Sequence, residues 1–434
     1  MGERYDAIII GAGIIGAATA FELCKRGWKT LNVDFLPAAG YGSTSNSCAI
    51  IRVHYSTLEG TAFAYEGYHY WRDWADYLEV EDERGFSVFH ETGALVMKTE
   101  ANDYLRKHAE LAAQLDIPHE HWGPKEILAK LPIYNLKRYG PPKPLNAEGF
   151  GESVGGEVEG GLYFPTAGYI NDPQLATHNL QRAAEAKGGT FLFNRRVVEI
   201  PREDGRAAGV VLDDGRRIDA PVVINVAGPH SYKVNELADV LDDMTITTKA
   251  LRQEVVHVPA PQGFDFEHDG LVVSDSDIGC YNRPEQGNHI LVGSEDPECD
   301  PREFVDPDEF YHDFTNQWTV QAYRMGQRIS ELGIPNQRRG VVDLYDVTED
   351  WIPIYDRSSL PGYYMAIGSS GNQFKNAPIA GAMMAELVIA CENGHDHDKE
   401  PLQFALPYLK RSIDVGFYSR NREINPESSF SVLG

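Results

Sequence analysis

Four apolar residues, Ala7 to Ile10, give way to a glycine-rich turn, then to an apolar stretch from Ala17 to Arg26 and a second apolar run from Thr30 to Val33. Short apolar runs bounded by turn residues read as buried strands, and a stretch of helical length stopped by Gly27 reads as a helix. Further along, Val197 to Ile200, Gly209 to Leu212 and Arg217 to Ala220 are short β-rich runs separated by Asp204-Gly205 and Asp214-Gly215. They predict a small meander ahead of a buried strand, Val222 to Val226. Between residues 63 and 135, Tyr65, Tyr68, Trp71 and Trp74, then Leu105 to Leu115, fall at helical spacing, with the aromatics expected to face a core. Residues 250–300 instead alternate as strands, at Glu254 to Val258, Gly270 to Val273 and His289 to Gly293, and a last helix is predicted over Ala377 to Ala390.

The turn after the first strand is Gly11-Ala12-Gly13-Ile14-Ile15-Gly16, and Asp34 ends the second strand. In this context the three glycines have separate tasks: Gly11 a tight turn, Gly13 close approach of backbone to a pyrophosphate, and Gly16 close helix–strand packing. Asp34 lies near the roughly 20-residue offset at which a carboxylate accepts hydrogen bonds from an adenosine ribose. A dinucleotide is therefore expected, with Ile14 and Ile15 beside it at the helix start. Past Asp34 the chain enters Gly40-Tyr41-Gly42-Ser43-Thr44-Ser45-Asn46-Ser47 rather than a further βα unit. Such a loop brings amides and hydroxyls against a phosphate or a flavin edge, and Gly42, Ser43, Thr44, Ser45 and Ser47 join the candidate cofactor set. The competing reading is an ordinary surface loop.

Composition narrows the partners. A chain of 434 residues exceeds the roughly 250 to 300 at which single cores stop growing, so two domains are expected. A formal charge of −26 argues against nucleic acid and anionic membrane as partners. Five cysteines without C-x-x-C spacing argue against a disulfide framework or a zinc site. No metal is expected, and His395 and His397 read as loop residues. The first strand starts within a few residues of Met1, leaving no room for a signal peptide, and no apolar run approaches membrane-spanning length. A cytoplasmic location is the expectation.

The Ile50-Ile51-Arg52 segment that follows the Gly/Ser/Thr/Asn loop resembles the FAD-dependent D-amino acid oxidase superfamily, in particular its sarcosine oxidase and dimethylglycine dehydrogenase branch. Other fragments are similar in family order: Gly161 to Pro165 with Gly168 to Pro173, Val222 to Ser231, Asp343 to Pro353, and Gly368 to Lys375. The resemblance implies an α/β fold, with a glutathione reductase-like, Rossmann-type FAD domain and a second, antiparallel-sheet substrate domain. The FAD domain is expected in pieces, at residues 1–88, 161–232 and 337–434, with the substrate domain at 89–160 and 233–336. It also places Val197, Val198, Ala227, Gly228, Gly368, Ser370, Gly371, Asn372, Gln373 and Lys375 in the candidate cofactor set.

For chemistry, the resemblance implies that Arg52 and Lys375 clamp a substrate carboxylate, away from the bond being oxidised. The competing readings are a structural salt bridge for Arg52 and a solvent-exposed helix-start lysine for Lys375. Tyr345 matches an active-site tyrosine or is a core residue, and His54, two positions from Arg52 in an extended segment, falls on the same face. Members that bind flavin covalently through a cysteine have it two residues before this tyrosine. Here that residue is Asp343, so FAD is expected to be noncovalent. Asn372 stands where monomeric sarcosine oxidases carry histidine, which leaves the substrate open.

The expected activity is oxidation of the C–N bond of a small amino acid, such as sarcosine, dimethylglycine or a cyclic imino acid. Hydride passes to flavin, the imine is hydrolysed, and O2 or a redox partner takes the electrons. Alternatives are a D-amino acid or 2-hydroxy acid dehydrogenase of the same fold, or the flavin-bearing subunit of a heteromeric sarcosine oxidase-like complex. A homo- or hetero-oligomer is compatible with either.

Overall fold

The computed structural model describes residues 4–434, so the first three positions of the expected 1–88 segment lie outside the described residues. Ala7–Ile10 is the fourth strand of a six-stranded sheet, in the order Ile354–Arg357, Tyr363–Ile367, Val222–Asn225, Ala7–Ile10, Thr30–Val33, Thr190–Leu192. All neighbours are parallel except the Ile354–Arg357 edge, which is antiparallel. Parallel strands covered on both faces need apolar residues at successive positions, which is why these segments read as unbroken apolar runs. Ala7, Ile9, Val222 and Ile224 turn toward helices Ile14–Lys25, Pro173–Ala186 and Ala377–Glu392. Ile8, Ile10, Val33 and Val223 turn to the other face, where the predicted meander forms a three-stranded sheet of Val197–Glu199, Gly209–Leu212 and Arg217–Asp219.

Two glycines set the spacing of this layer. Gly11 has φ +119°, and a Cβ there would lie 2.3 Å from the Val226 carbonyl oxygen, so the turn admits no side chain. Gly381 lies on helix Ala377–Glu392 where it crosses Ile14–Lys25, and its Cβ would lie 2.6 Å from the backbone of Ala18. The stretch Phe374–Glu392 is long and apolar enough to cross a membrane by length and composition, contrary to the expectation that none would be. Most of it is buried here, because its apolar surface serves a core between helices and sheet.

The second layer is an eight-stranded sheet, in the order Gly340–Val347, Lys249–Pro259, His289–Ser294, Cys280–Glu285, Val272–Asp275, Ala94–Met97, Gly161–Phe164, Glu120–Trp122. It is antiparallel but for one parallel pair, Val272–Asp275 with Ala94–Met97. Two expected boundaries shift as a result. Gly161–Phe164 pairs with Ala94–Met97 and Gly340–Val347 pairs with Lys249–Pro259, so both belong to this sheet and not to the nucleotide-domain pieces 161–232 and 337–434. Their partners are far away in sequence, and local pattern carries no record of pairing. The helical spacing read between residues 63 and 135 corresponds to helices Leu58–Arg72, Trp74–Leu78 and Arg106–Gln114, with strands between the second and third. One of those strands is Ala94–Met97, whose four apolar residues are ambiguous between helix and strand until a partner is known.

The close helix crossing gives a stability prediction. Gly381→Val should lower stability by about 1 to 3 kcal/mol, since the backbone of Ala18 cannot yield as a flexible side chain would. The midpoint of thermal denaturation should fall; an unchanged midpoint contradicts the packing described.

Candidate flavin and substrate site

A cavity of about 1100 Å³ runs between the two sheets, from the Gly11-to-Gly16 turn and Asp34 at one end to Arg52, His54, Tyr345 and Lys375 at the other. It exceeds the roughly 300 to 1,000 Å³ of a typical small-ligand site, as an extended dinucleotide requires. Gly11, Gly13, Ile14, Ile15, Gly16, Gly42, Ser43, Thr44, Ser47, Val197, Val198, Ala227 and Gly228 line it, as do Gly371, Asn372 and Gln373.

At the nucleotide end, the Asp34 carboxylate accepts from the amides of Ala12 (2.7 Å) and Leu36 (2.9 Å), which fixes it at the strand end. Thr44 Oγ1 accepts from the amide of Ile14 (3.2 Å) and docks the hydroxyl-rich loop on the helix start. Arg196, which sequence reasoning missed, stacks over the Phe35 ring at 4.7 Å and pairs with Asp308. The structure differs at Ser45, Gly368 and Ser370, which do not line the cavity. Ser45 Oγ donates back to the Gly42 carbonyl (2.9 Å), bracing the loop from within. The Gly368 amide donates to Asp346 Oδ2 (2.6 Å), and the Ser370 amide donates to the Asp346 carbonyl (2.7 Å). These last two shape the turn that presents Gly371, Asn372 and Gln373.

At the other end, strand Ile50–Ile51 pairs with Gly168–Ile170 and delivers Arg52 to the cavity wall. Lys375 arrives from the opposite side, in the single turn Phe374–Asn376 ahead of helix Ala377–Glu392. Both side chains are buried, and both approach one aromatic ring, with the Arg52 guanidinium 4.1 Å and Lys375 Nζ 5.2 Å from the centroid of Tyr55. Arg52 donates to the carbonyls of His54 (2.6 Å) and Val432 (2.9 Å). Lys375 Nζ donates to Tyr55 Oη (3.0 Å) and to the Asn372 carbonyl (2.6 Å). Among the described residues neither cation makes an ion pair with a carboxylate, so the salt-bridge reading of Arg52 does not hold. Burial likewise removes the reading of Lys375 as solvent-exposed.

The electrostatic consequence is strong. Burial, and then the positive charge of Arg52, holds the Lys375 ammonium well below its usual range. His54, stacked on Phe164 at 4.9 Å, is pushed well below the ordinary histidine value by burial and by Arg52, and its Nδ1 has no hydrogen-bond partner among the described residues. It is therefore neutral near pH 7. Tyr345 is half-buried on the wall beside Tyr281 and Cys48. Asn372 Nδ2, on the same wall, is buried and has no partner among the described residues, a free donor such as a heteroaromatic ring with carbonyl oxygens would satisfy.

The family model for FAD dependent oxidoreductases, DAO, matches residues 6–387. The chain belongs to that family. It is 26% identical to sarcosine oxidase subunit beta of Rhodobacter capsulatus, over 89% of this chain and 85% of that one. It is 25% identical to monomeric sarcosine oxidase of a Bacillus species, over 95% of this chain and 99% of that one. Among solved structures, L-proline dehydrogenase of P. horikoshii superposes with a TM-score of 0.76 at 21% identity, covering 97% of this chain and 98% of that one, a likeness of fold. This FAD-dependent oxidoreductase thus has a cavity whose glycine turn, free donors and size fit its cofactor.

Sequence reasoning also missed Gln253, Ser274, Tyr281, Val432 and Leu433 on the wall. A signal existed for one of them: Arg252-Gln253-Glu254 puts three polar residues inside an apolar strand, and all three are buried. A cluster elsewhere, Asp82, Glu83 and His178, has metal-ligand spacing but is already bonded internally, with His178 on Asp82 (2.7 Å) and Arg182 on Glu83 (2.6 Å).

Asp346 yields a pH prediction. Burial pushes its carboxyl up to about 7, above the roughly 3.9 of an unfolded aspartate, so the fold keeps a proton that the unfolded chain has released. The stability it contributes is complete below pH ~4 and is lost as pH rises through ~7. Asp346→Asn keeps the acceptor for the Gly368 amide and should flatten the fall in melting temperature between pH 5 and 8. Part of that fall should persist, since burial also raises Glu295 to about 7 and Asp296 to about 6. Equal slopes in wild type and variant would contradict the assignment.

Proposed function

We propose that this flavoprotein oxidises the C–N bond of a small amino acid whose nitrogen is secondary or tertiary, such as sarcosine, dimethylglycine or a cyclic imino acid. The observation that carries this reading is the pair of buried basic side chains around Tyr55, Arg52 and Lys375, neither of which makes an ion pair among the described residues. A charge on either costs several kcal/mol to bury and is favoured where an anion completes the site. A carboxylate is the anion that two convergent cations hold in a fixed orientation, leaving its α-substituents toward the rest of the cavity. Bound FAD supplies the ring that accepts the hydride, and the resulting imine is hydrolysed.

Arg52 contributes the charge-assisted contacts, and Lys375 adds a second donor whose proton is easily shared once an anion arrives. Neutral His54 and half-buried Tyr345 bound the space in which the amine lies, and neither adds a charge that would repel it. The names of the similar proteins, sarcosine oxidases and a proline dehydrogenase, support secondary-amine substrates. Asp343 offers no thiol to the flavin, and its carboxylate is held by Asn46 Nδ2 (2.5 Å), which supports noncovalent FAD. Likeness to a subunit beta also supports a hetero-oligomeric reading, which the mass and flavin content of the protein expressed alone decide.

The decisive experiment is anaerobic mixing of the holoprotein with sarcosine, dimethylglycine, proline, D-amino acids and 2-hydroxy acids, while following flavin bleaching. Secondary and tertiary amino acids should bleach it fastest; bleaching by hydroxy acids alone would overturn the reading. Arg52→Ala should keep its flavin but weaken carboxylate binding by about 2 to 5 kcal/mol. Unchanged affinity for a carboxylate inhibitor in that variant would contradict the clamp.

A further inference from the structure

Residues 428–434 lead to the substrate end of the cavity, where Val432 and Leu433 line it, and every second residue of the segment is tied down. Ser428 Oγ donates to the Asp350 carbonyl, and Arg302 Nη2 donates to the Phe430 carbonyl (2.7 Å). Arg52 Nη2 donates to the Val432 carbonyl (2.9 Å), and the Gly434 carbonyl accepts from both the amide (3.1 Å) and Oγ (2.7 Å) of Ser56. Asp350, which anchors the start, is itself buried and paired with Arg422 at 2.7 Å. The Val432 side chain is 7% exposed and packs with Leu251, Tyr281, Val347 and Trp351, against Tyr345 and Cys48. Val432 and Leu433 both line the cavity.

We propose that this segment is a fixed wall of the substrate pocket and that Val432 sets the size of the group a bound carboxylate may carry. The inference rests on the clamp reading of Arg52 and extends it to selectivity. A wall held at four alternate positions cannot swing aside for a bulky ligand, so the space beside the clamp is set by the side chains the wall presents. The same residue does two things: its carbonyl holds the guanidinium, and its methyl groups pack beside Tyr345. Wall and clamp are therefore positioned together, and a ligand gripped by Arg52 meets Val432 at a fixed depth. The charged contact is common to every carboxylate, whereas the valine contact depends on what the carboxylate carries.

The test uses the FAD-loaded full chain and four probes of increasing bulk: acetate, propionate, cyclopentanecarboxylate and benzoate. Binding is read from the perturbation of the flavin visible spectrum and from calorimetry. In the wild type, affinity should fall from the small probes to the ring-bearing ones. Val432→Ala should shift the benzoate-to-acetate affinity ratio toward benzoate by about tenfold, the scale of a methylene-sized change in an apolar pocket. Val432→Leu should shift the ratio in the opposite direction. A merely structural role would weaken all four probes alike and leave the ratio unchanged in both variants, which overturns the proposal. If the wild type binds acetate in a manner that depends on Arg52, yet neither variant moves the ratio, the wall inference fails and the clamp stands. If the wild type binds none of the four, the clamp reading fails and takes this inference with it.

Discussion

Two basic side chains, Arg52 and Lys375, are buried around one tyrosine ring, and among the described residues neither makes an ion pair with a carboxylate. Desolvation of a cation costs several kcal/mol, and proximity of a second raises that cost, so a fold that only sought stability would place a carboxylate there or remove the charge. The protein offsets part of the cost with neutral oxygens: the carbonyls of His54 and Val432 for Arg52, and Tyr55 Oη and the Asn372 carbonyl for Lys375. The faces of Tyr55 add attraction of the cation–π kind. These contacts hold Arg52 and Lys375 in place without an ion pair, an arrangement that a bound anion would complete.

The rest of the fold can be understood as the scaffold for that placement. The six-stranded sheet and its glycine turn hold the nucleotide end, and helix Ala377–Glu392, packed closely on Ile14–Lys25 at Gly381, carries Lys375 at its start. Arg52 comes from a different part of the chain, on a short strand locked to Gly168–Ile170. The eight-stranded sheet closes the space between them, with Gly340–Val347 bringing Tyr345 to the wall and Asp346 to the turn that presents Asn372. The strain of the arrangement is electrostatic and local: neutral His54, the depressed Lys375 and the proton-retaining Asp346 all lie on the wall of this one cavity.

Much of this was legible in the chain. The strand Ala7–Ile10, the turn, the strand Thr30–Val33 and the meander appear where the apolar runs place them, because parallel strands buried on both faces leave an unbroken apolar signature. Arg52, His54, Tyr345 and Lys375, singled out in the chain, line one cavity. What escaped was everything decided by pairing across long sequence distances. Gly161–Phe164 and Gly340–Val347 look like any apolar strand, and only their partners assign them to the second sheet. Gly368 and Ser370 belong to the right turn but support it from behind, a difference of orientation that residue type cannot report. Val432 gave no signal, since a valine among serines becomes a pocket wall only through Arg52 and the cluster around Trp351.

The missing anion can be tested through its proton. Because burial and Arg52 depress the Lys375 ammonium, an acetate ion that settles between Arg52 and Lys375 should draw a proton onto the lysine as it binds. Calorimetric titration of the FAD-bound protein with acetate, in two buffers of different ionisation enthalpy at pH 8, measures that proton directly. The account predicts net uptake in the wild type and its loss in Lys375→Met. Acetate binding with no proton uptake, or uptake that survives the substitution, would contradict it.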